Sequence, residues 1–172
     1  MNAEIPASTD RIRFRPYRST DAAAVAGLFA DPQARRFYPD MTGTDQAAEW
    51  IQWNLDNYTT HGFGLWAIEH RESGSFLGDC GLTYQQVESR RVLEVGYHLL
   101  ERHRGHGYAT EGGQACVAYA FDELSAAVVC SIVDPANVES QAVAARLHSS
   151  RRTFTNDEGH TMWLYWSTRQ PG

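Results

Sequence analysis

Between residues 64 and 99 the hydrophobic pattern alternates, and it does so in three successive runs. The runs 64–70 and 76–84 flank a polar, glycine-containing stretch, Arg71 to Ser75, which suggests a hairpin. In the third run Leu93, Val95, Tyr97 and Leu99 share one face; Val92, Glu94, Gly96 and His98 share the other. The period then changes. Ala109, Cys116, Val117, Ala120, Phe121 and Leu124 line one side of a long helix, and a β-branched run, 127–133, follows it. Strands joined by tight turns are antiparallel, whereas a strand–long helix–strand unit needs a parallel crossover. The expected class is α/β (α+β): a mixed, mostly antiparallel sheet of six to seven strands with helices on both faces.

The flanking segments complete this plan. Residues 11–15 read as a first strand ended by Pro16. Ser19, Thr20 and Asp21 offer capping oxygens to a helix through Ala30. Residues 31–43 read as a loop broken by Pro32, Pro39 and Gly43. Thr44 caps a second helix, carrying Ala47, Ile51, Leu55 and Tyr58, that ends at His61-Gly62. Residues 138–148 form a last helix, and 151–155 with 161–166 a closing hairpin. The chain has 172 residues, 42% of them hydrophobic, which suits one core and excludes disorder as the main state. One domain is expected over 11–172, after a loose tail, 1–10.

Fifteen basic against 21 acidic residues leave a net charge of −6. That balance argues against non-specific nucleic-acid binding. The N-terminus has neither a basic start nor an apolar run, so a signal peptide is not expected, and no stretch is apolar enough to span a membrane. Cys80, Cys116 and Cys130 form no CxxC pair and read as buried thiols in a reducing, cytoplasmic protein.

The most informative segment is RHRGHGYATEGG, residues 102–113, between a strand and a helix start. Gly105 and Gly107 allow positive φ or close approach, and the first-turn amides with the helix dipole suit a pyrophosphate. Arg102 and Arg104 add charge. An ordinary strand-to-helix turn is the plain alternative. A Rossmann site would need a third glycine where Thr110 stands, and an earlier βαβ unit. His103 and His106 lack the carboxylate or helical context of a metal site, so no metal is expected.

Residues Arg102, His103, Arg104, Gly105, His106 and Gly107 match the acetyl-CoA signature Arg/Gln-x-x-Gly-x-Gly/Ala, and the chain resembles a GNAT-superfamily N-acetyltransferase. YATE (108–111), GFGLWAI (62–68), FLGDCGL (76–82), LEVGYHL (93–99) and Asn137-x-x-Ser140 are similar to the branch of ribosomal-protein N-terminal acetyltransferases (RimJ/RimL-like). The resemblance runs from Arg11 to Leu147. It implies acetyl-CoA as cofactor and a primary amine, on a protein N-terminus or a small molecule, as acceptor, attacked directly in a ternary complex. It places pantetheine beside strand 93–100, where this splays from the next strand. Tyr97, His98 and Leu99 would meet the arm, and an amide near Leu99 would face the thioester oxygen and stabilise an oxyanion. Arg104, Gly105, His106, Gly107, Tyr108, Ala109 and Thr110 would hold the pyrophosphate, and Asn137 the pantetheine region. A homodimer is expected by family analogy alone.

The acceptor must lose its charge before it attacks, since an α-amino group titrates near ~8 and a lysine near ~10. Glu94 is the candidate base, directly or through a water; an exposed strand residue or a salt bridge is its ordinary alternative. His98 flanks the same pocket or is merely packed. Ser140 is the candidate acid for the leaving thiolate, with a helix-cap hydroxyl as the alternative, and Tyr108 is a second possible donor. Phe37, Tyr38 and Pro39 would form a lid. Trp50, Trp53, Tyr58, Phe63 and Trp66 are core, part of them lining the acceptor pocket, and Asp79 pairs either with an amine or with a neighbouring strand. His148 stands where the family has a helix-ending glycine, which predicts a steric cost in the left-handed conformation. That departure and the polar segment 149–172 bear on acceptor choice. The competing reading is a non-catalytic acyl-CoA-binding module.

Overall fold

Leu65 and Ala67 alternate with Trp66 and Ile68, so one strand must bury both of its faces. In the computed structural model, which describes residues 4–172, it does so inside a seven-stranded sheet of order β1-β2-β3-β4-β5-β7-β6. The strands are β1 (Ile12–Arg15), β2 (Leu65–His70), β3 (Phe76–Val87), β4 (Arg90–Leu99), β5 (Val128–Val133), β6 (Ser150–Thr155) and β7 (Thr161–Thr168). Among the described strands only β4–β5 is parallel, as the crossover argument requires. The helices are α1 (Ala22–Leu28), α2 (Pro32–Phe37), α3 (Thr44–His61), α4 (Tyr108–Asp122) and α5 (Val138–Leu147). Trp66, Ile68, Leu82 and Val95 pack on one face with Cys116 and Ala120 of α4 and Leu147 of α5. Leu65 and Ala67 pack on the other with Val25 and Leu28 of α1 and Ala47 and Ile51 of α3. Cys80, Cys116 and Cys130 are buried free thiols, and the first two lie 3.6 Å apart.

The sheet opens between β4 and β5. Glu94 and Cys130 are the single pair in register, and the strands diverge on either side. Two side chains satisfy backbone groups stranded there. Ser131 Oγ donates to the Val95 carbonyl at 2.9 Å, and Glu94 Oε2 accepts the Ile132 N–H at 2.9 Å.

Several expectations need correction. Residues 31–43 contain α2: Asp31 accepts the N–H groups of Gln33 (3.1 Å) and Ala34 (3.0 Å), and Pro32 fills the first helical position, where no donor is needed. Gly43, not Thr44, is the N-cap of α3, while Gly62 ends that helix at φ 82° as expected. His148 leaves α5 in the extended region (φ −126°, ψ 150°), so no left-handed cost arises. Its buried ring instead meets Ser131 Oγ at 2.9 Å, and burial pushes its pKa down to about 4. Residues 1–3 of the expected tail lie outside the described residues. Residues 4–10 are tied down: Tyr119 donates to the Glu4 carbonyl (3.1 Å) and Thr9 to Glu111 (2.6 Å).

Candidate active site

The opening beside β4 widens into a cleft of about 340 Å³. Tyr97, His98 and Leu99 of β4 form its floor, Gln33, Phe37 and Tyr38 of the α2 segment one wall, and Asn137, Ser140 and Arg146 of α5 the other. Gly105, Gly107 and residues 108–110 close one end.

At that end Gly105 and Gly107 have φ of 77° and 82°. Gly107 is the N-cap of α4, and no side chain bonds the first turn. The amides of Tyr108, Ala109 and Thr110 therefore have no intrahelical partner and are available to anionic oxygens. Arg11 braces the loop from outside: Nη1 donates to the His106 carbonyl (2.8 Å), Nε and Nη2 pair with Glu111 (2.7 and 2.6 Å), and the guanidinium lies 4.5 Å from the centre of the Tyr108 ring. Burial raises the Glu111 pKa, but its bonds from Thr9 and Arg11 outweigh this and leave it lowered. The brace was not foreseen; the signal was a strand-initial arginine far from the YATE glutamate, with nothing local to join them.

Arg104 departs from expectation. Its guanidinium forms a two-pronged pair with Asp31 (2.9 and 2.8 Å), so it locks α2 to the loop instead of standing free for phosphate. That pair, and then the α2 amides, hold the Asp31 carboxyl below its ordinary value despite some burial. Arg102 is exposed, and neither it nor the His106 side chain lines the cleft. Arg146, which sequence reasoning passed over, does, and it is exposed.

In the middle, Tyr97 donates to the Ser140 carbonyl (2.8 Å) and accepts from Ser140 Oγ (3.1 Å). Asn137 caps α5 through Oδ1, which accepts the Ser140 N–H at 3.1 Å, so Nδ2 remains to serve the cleft. Ser140 is thus not the cap; its hydroxyl belongs with Tyr97. Burial raises the Tyr97 pKa and keeps that phenol neutral. Leu99 pairs with Gly78 on β3 and has no register partner on β5.

The far end holds a buried polar network. Asp79 is fully buried. Its Oδ2 accepts from Tyr17 OH (2.7 Å) and Trp50 Nε1 (3.0 Å), and Oδ1 meets His98 Nδ1 at 2.6 Å. His98 Nε2 lies 2.8 Å from Tyr38 OH. Asp79 therefore pairs with the neighbouring strand. The β3 glycines make this possible: a methyl on Gly78 would overlap the His98 carbonyl, and one on Gly81 the Gly64 carbonyl. Glu94 lies on the same β4 face, behind Gly96 and outside the cleft wall. Burial pushes its pKa up to about 7, partly opposed by the Ile132 N–H and by His98.

A family model described as an acetyltransferase (GNAT) domain matches residues 11–150. The chain belongs to the GNAT acetyltransferase family. This GNAT chain is 39% identical over 148 residues to the uncharacterized protein YkkB of Bacillus subtilis, covering 86% of each. An acetyltransferase of Agrobacterium tumefaciens superposes with a TM-score of 0.81 at 25% identity, over 95% of this chain and 94% of that one. RimL, a ribosomal alpha-N-protein acetyltransferase in complex with coenzyme A, shares the fold at a TM-score of 0.77 and 18% identity, over 96% and 98% of the two chains.

Proposed function

We propose that this GNAT chain transfers the acetyl group of acetyl-CoA to a primary amine, on a protein N-terminus or a small molecule, by direct attack in a ternary complex. The observation that carries the proposal is continuity. One cleft joins an uncapped helix N-terminus, the unpaired edge of β4 and a titratable network.

The residues fit the cofactor. The glycine loop leaves space that side chains would fill, and a Cβ on Gly107 would press on Arg11 Nη2 at 3.3 Å. The amides of 108–110 would hold pyrophosphate oxygens, with Arg146 adding charge that Arg104 cannot spare. Asn137 Nδ2 and the backbone of the β4 edge from Tyr97 to Leu99 would hold the pantetheine arm. When bound, acetyl-CoA supplies the activated acetyl group as a thioester. The Leu99 amide, fixed by the β3 pairing, would stabilise charge on the thioester oxygen. Ser140 Oγ, turned from the Tyr97 oxygen that it now donates to, would donate to the departing sulfur, with Tyr97 holding it in place. Glu94, with its pKa lifted towards neutrality and its position behind Gly96, serves as base through a water.

Acetyl-CoA should raise the melting temperature of the protein and NAD should not, and Gly107→Val should abolish the shift. A panel of peptides, polyamines and aminoglycosides, read by thiol release, then tests transfer. The basic residues of the chain are all arginine, so acetylation of its own lysines cannot contribute signal. Binding without turnover on any amine would refute transfer; no thermal shift would refute the cofactor.

A further inference from the structure

We propose that Tyr38, His98 and Asp79 form a proton relay that accepts one of the protons lost by the acceptor nitrogen; this rests on the amine-transfer reading above. A primary ammonium loses two protons on becoming an amide. One finishes on the departing thiol and one in water. The Glu94 carboxylate takes up a single proton and stands outside the cleft, whereas Tyr38 and His98 line it.

Geometry sets the direction of the relay. The Trp50 indole can only donate, and Tyr17 donates to the same oxygen, so both bonds at Oδ2 are accepted ones; Asp79 enters the relay as a carboxylate, whose Oδ1 accepts as well. His98 must then carry its hydrogen on Nδ1, 2.6 Å from Asp79 Oδ1. Its Nε2 lone pair faces Tyr38 OH at 2.8 Å, so the phenol donates to it and turns its own lone pairs to the cleft. When an N–H bond of the acceptor breaks, the Tyr38 oxygen takes that proton while its former proton passes to Nε2. The imidazolium so formed lies against the Asp79 carboxylate. After the amide leaves, the transfers reverse and Tyr38 releases the proton to water. No electrons are exchanged.

The surroundings suit the task. Asp79 from β3, Glu94 from β4 and Tyr38 at the end of α2 are the titratable groups facing His98. Phe29 and Trp50 enclose the ring at 5.6 and 5.3 Å between centroids and bring no charge. Burial holds the Tyr38 phenol well above its ordinary pKa, so it passes a proton on instead of resting as a phenolate.

The test has two arms. In the first, ¹⁵N NMR of the labelled full chain without ligand should show neutral His98 protonated at Nδ1. Asp79→Asn, which removes only the positioning group, should move that proton to Nε2. A wild-type Nε2–H tautomer would overturn the relay. In the second, Tyr38→Phe and His98→Asn should each lower kcat about 100-fold. The amine KM should stay within about threefold and the thermal shift from acetyl-CoA should persist, which reports folding and cofactor binding. Either variant keeping kcat within twofold would overturn the proposal. Loss of the acetyl-CoA shift in the wild type would instead refute the transfer reading, while the tautomer still judges the relay.

Discussion

Replacing Glu94 with Gln should stabilise the protein, and should do so only as the pH rises. The ordinary carboxyl value is 4.5, and burial lifts this one to about 7. Between those values the folded state binds a proton that the unfolded chain has released, so stability falls as pH climbs through the window. The full penalty, about 3 kcal/mol at pH 8 and above, is an upper bound because Glu94 keeps some contact with solvent. Glutamine retains an oxygen to accept the Ile132 N–H and removes the charge. His148 complicates the wild-type curve. Its pKa falls from 6.5 to about 4, so the unfolded state binds the extra proton and stability rises with pH over nearly the same window. The two slopes oppose each other, and wild-type stability should be nearly flat from pH 5 to 7. Urea titrations of wild type, Glu94→Gln and His148→Gln at half-unit steps from pH 5 to 8.5 would separate them. The window starts at 5 to avoid the carboxyls of Asp21, Asp31, Glu69 and Glu111, whose pKa values are lowered. The free-energy gap between Glu94→Gln and wild type should widen by up to about 3 kcal/mol, or roughly 6–12 °C in Tm for a chain of this size. A gap constant in pH would show that Glu94 ionises as an exposed side chain, and would remove it as a base poised near neutrality.

Two further substitutions probe how the site is held. Asp31→Ala removes the α2 cap and the partner of Arg104, so it should cost about 1–2 kcal/mol in denaturant and also weaken the acetyl-CoA thermal shift, because the α2 wall loosens. Gly81→Ala pushes a methyl into the Gly64 carbonyl, which is backbone and cannot rotate away; a loss of about 2–3 kcal/mol in urea denaturation is expected, and a neutral result would show that β2 and β3 separate freely.

The mixed sheet and the glycine-loop end of the cleft were legible in the sequence because both depend on local order. Period-2 runs place alternate side chains on opposite faces whatever surrounds them, and a glycine loop before a helix presents free amides by its own geometry. Asp31-Pro32 carried the α2 signal, a capping carboxylate followed by a first-turn proline, but the breakers at Pro39 and Gly43 drew the whole stretch towards a loop. His148 misled for a related reason. A residue after a helix was judged by the conformation that most often follows helices, while its course was decided by β6 two residues later and by Ser131 across the splay.

At the other end of the cleft the sequence offered separate candidates but not the network they form, because nothing local joins them. Tyr17, Tyr38, Trp50, Asp79 and His98 come from five segments of the chain, and each is ordinary in its own context. What the sequence does carry is the spacing of glycines in FLGDCGL. A strand interior gains nothing from two glycines unless other backbones must pass close by, and here they bring the His98 and Gly64 carbonyls to within overlap of any side chain. That closeness holds Asp79 against the imidazole and buries it with its hydrogen bonds complete. A carboxylate between two such glycines, with a histidine on the partner strand in register at Asp79↔His98, ties the proposed relay to the strand packing. Variants that relax the packing at Gly78 should therefore disturb the His98 tautomer before they disturb acetyl-CoA binding, since the glycine loop of α4 is braced separately by Arg11 and Glu111.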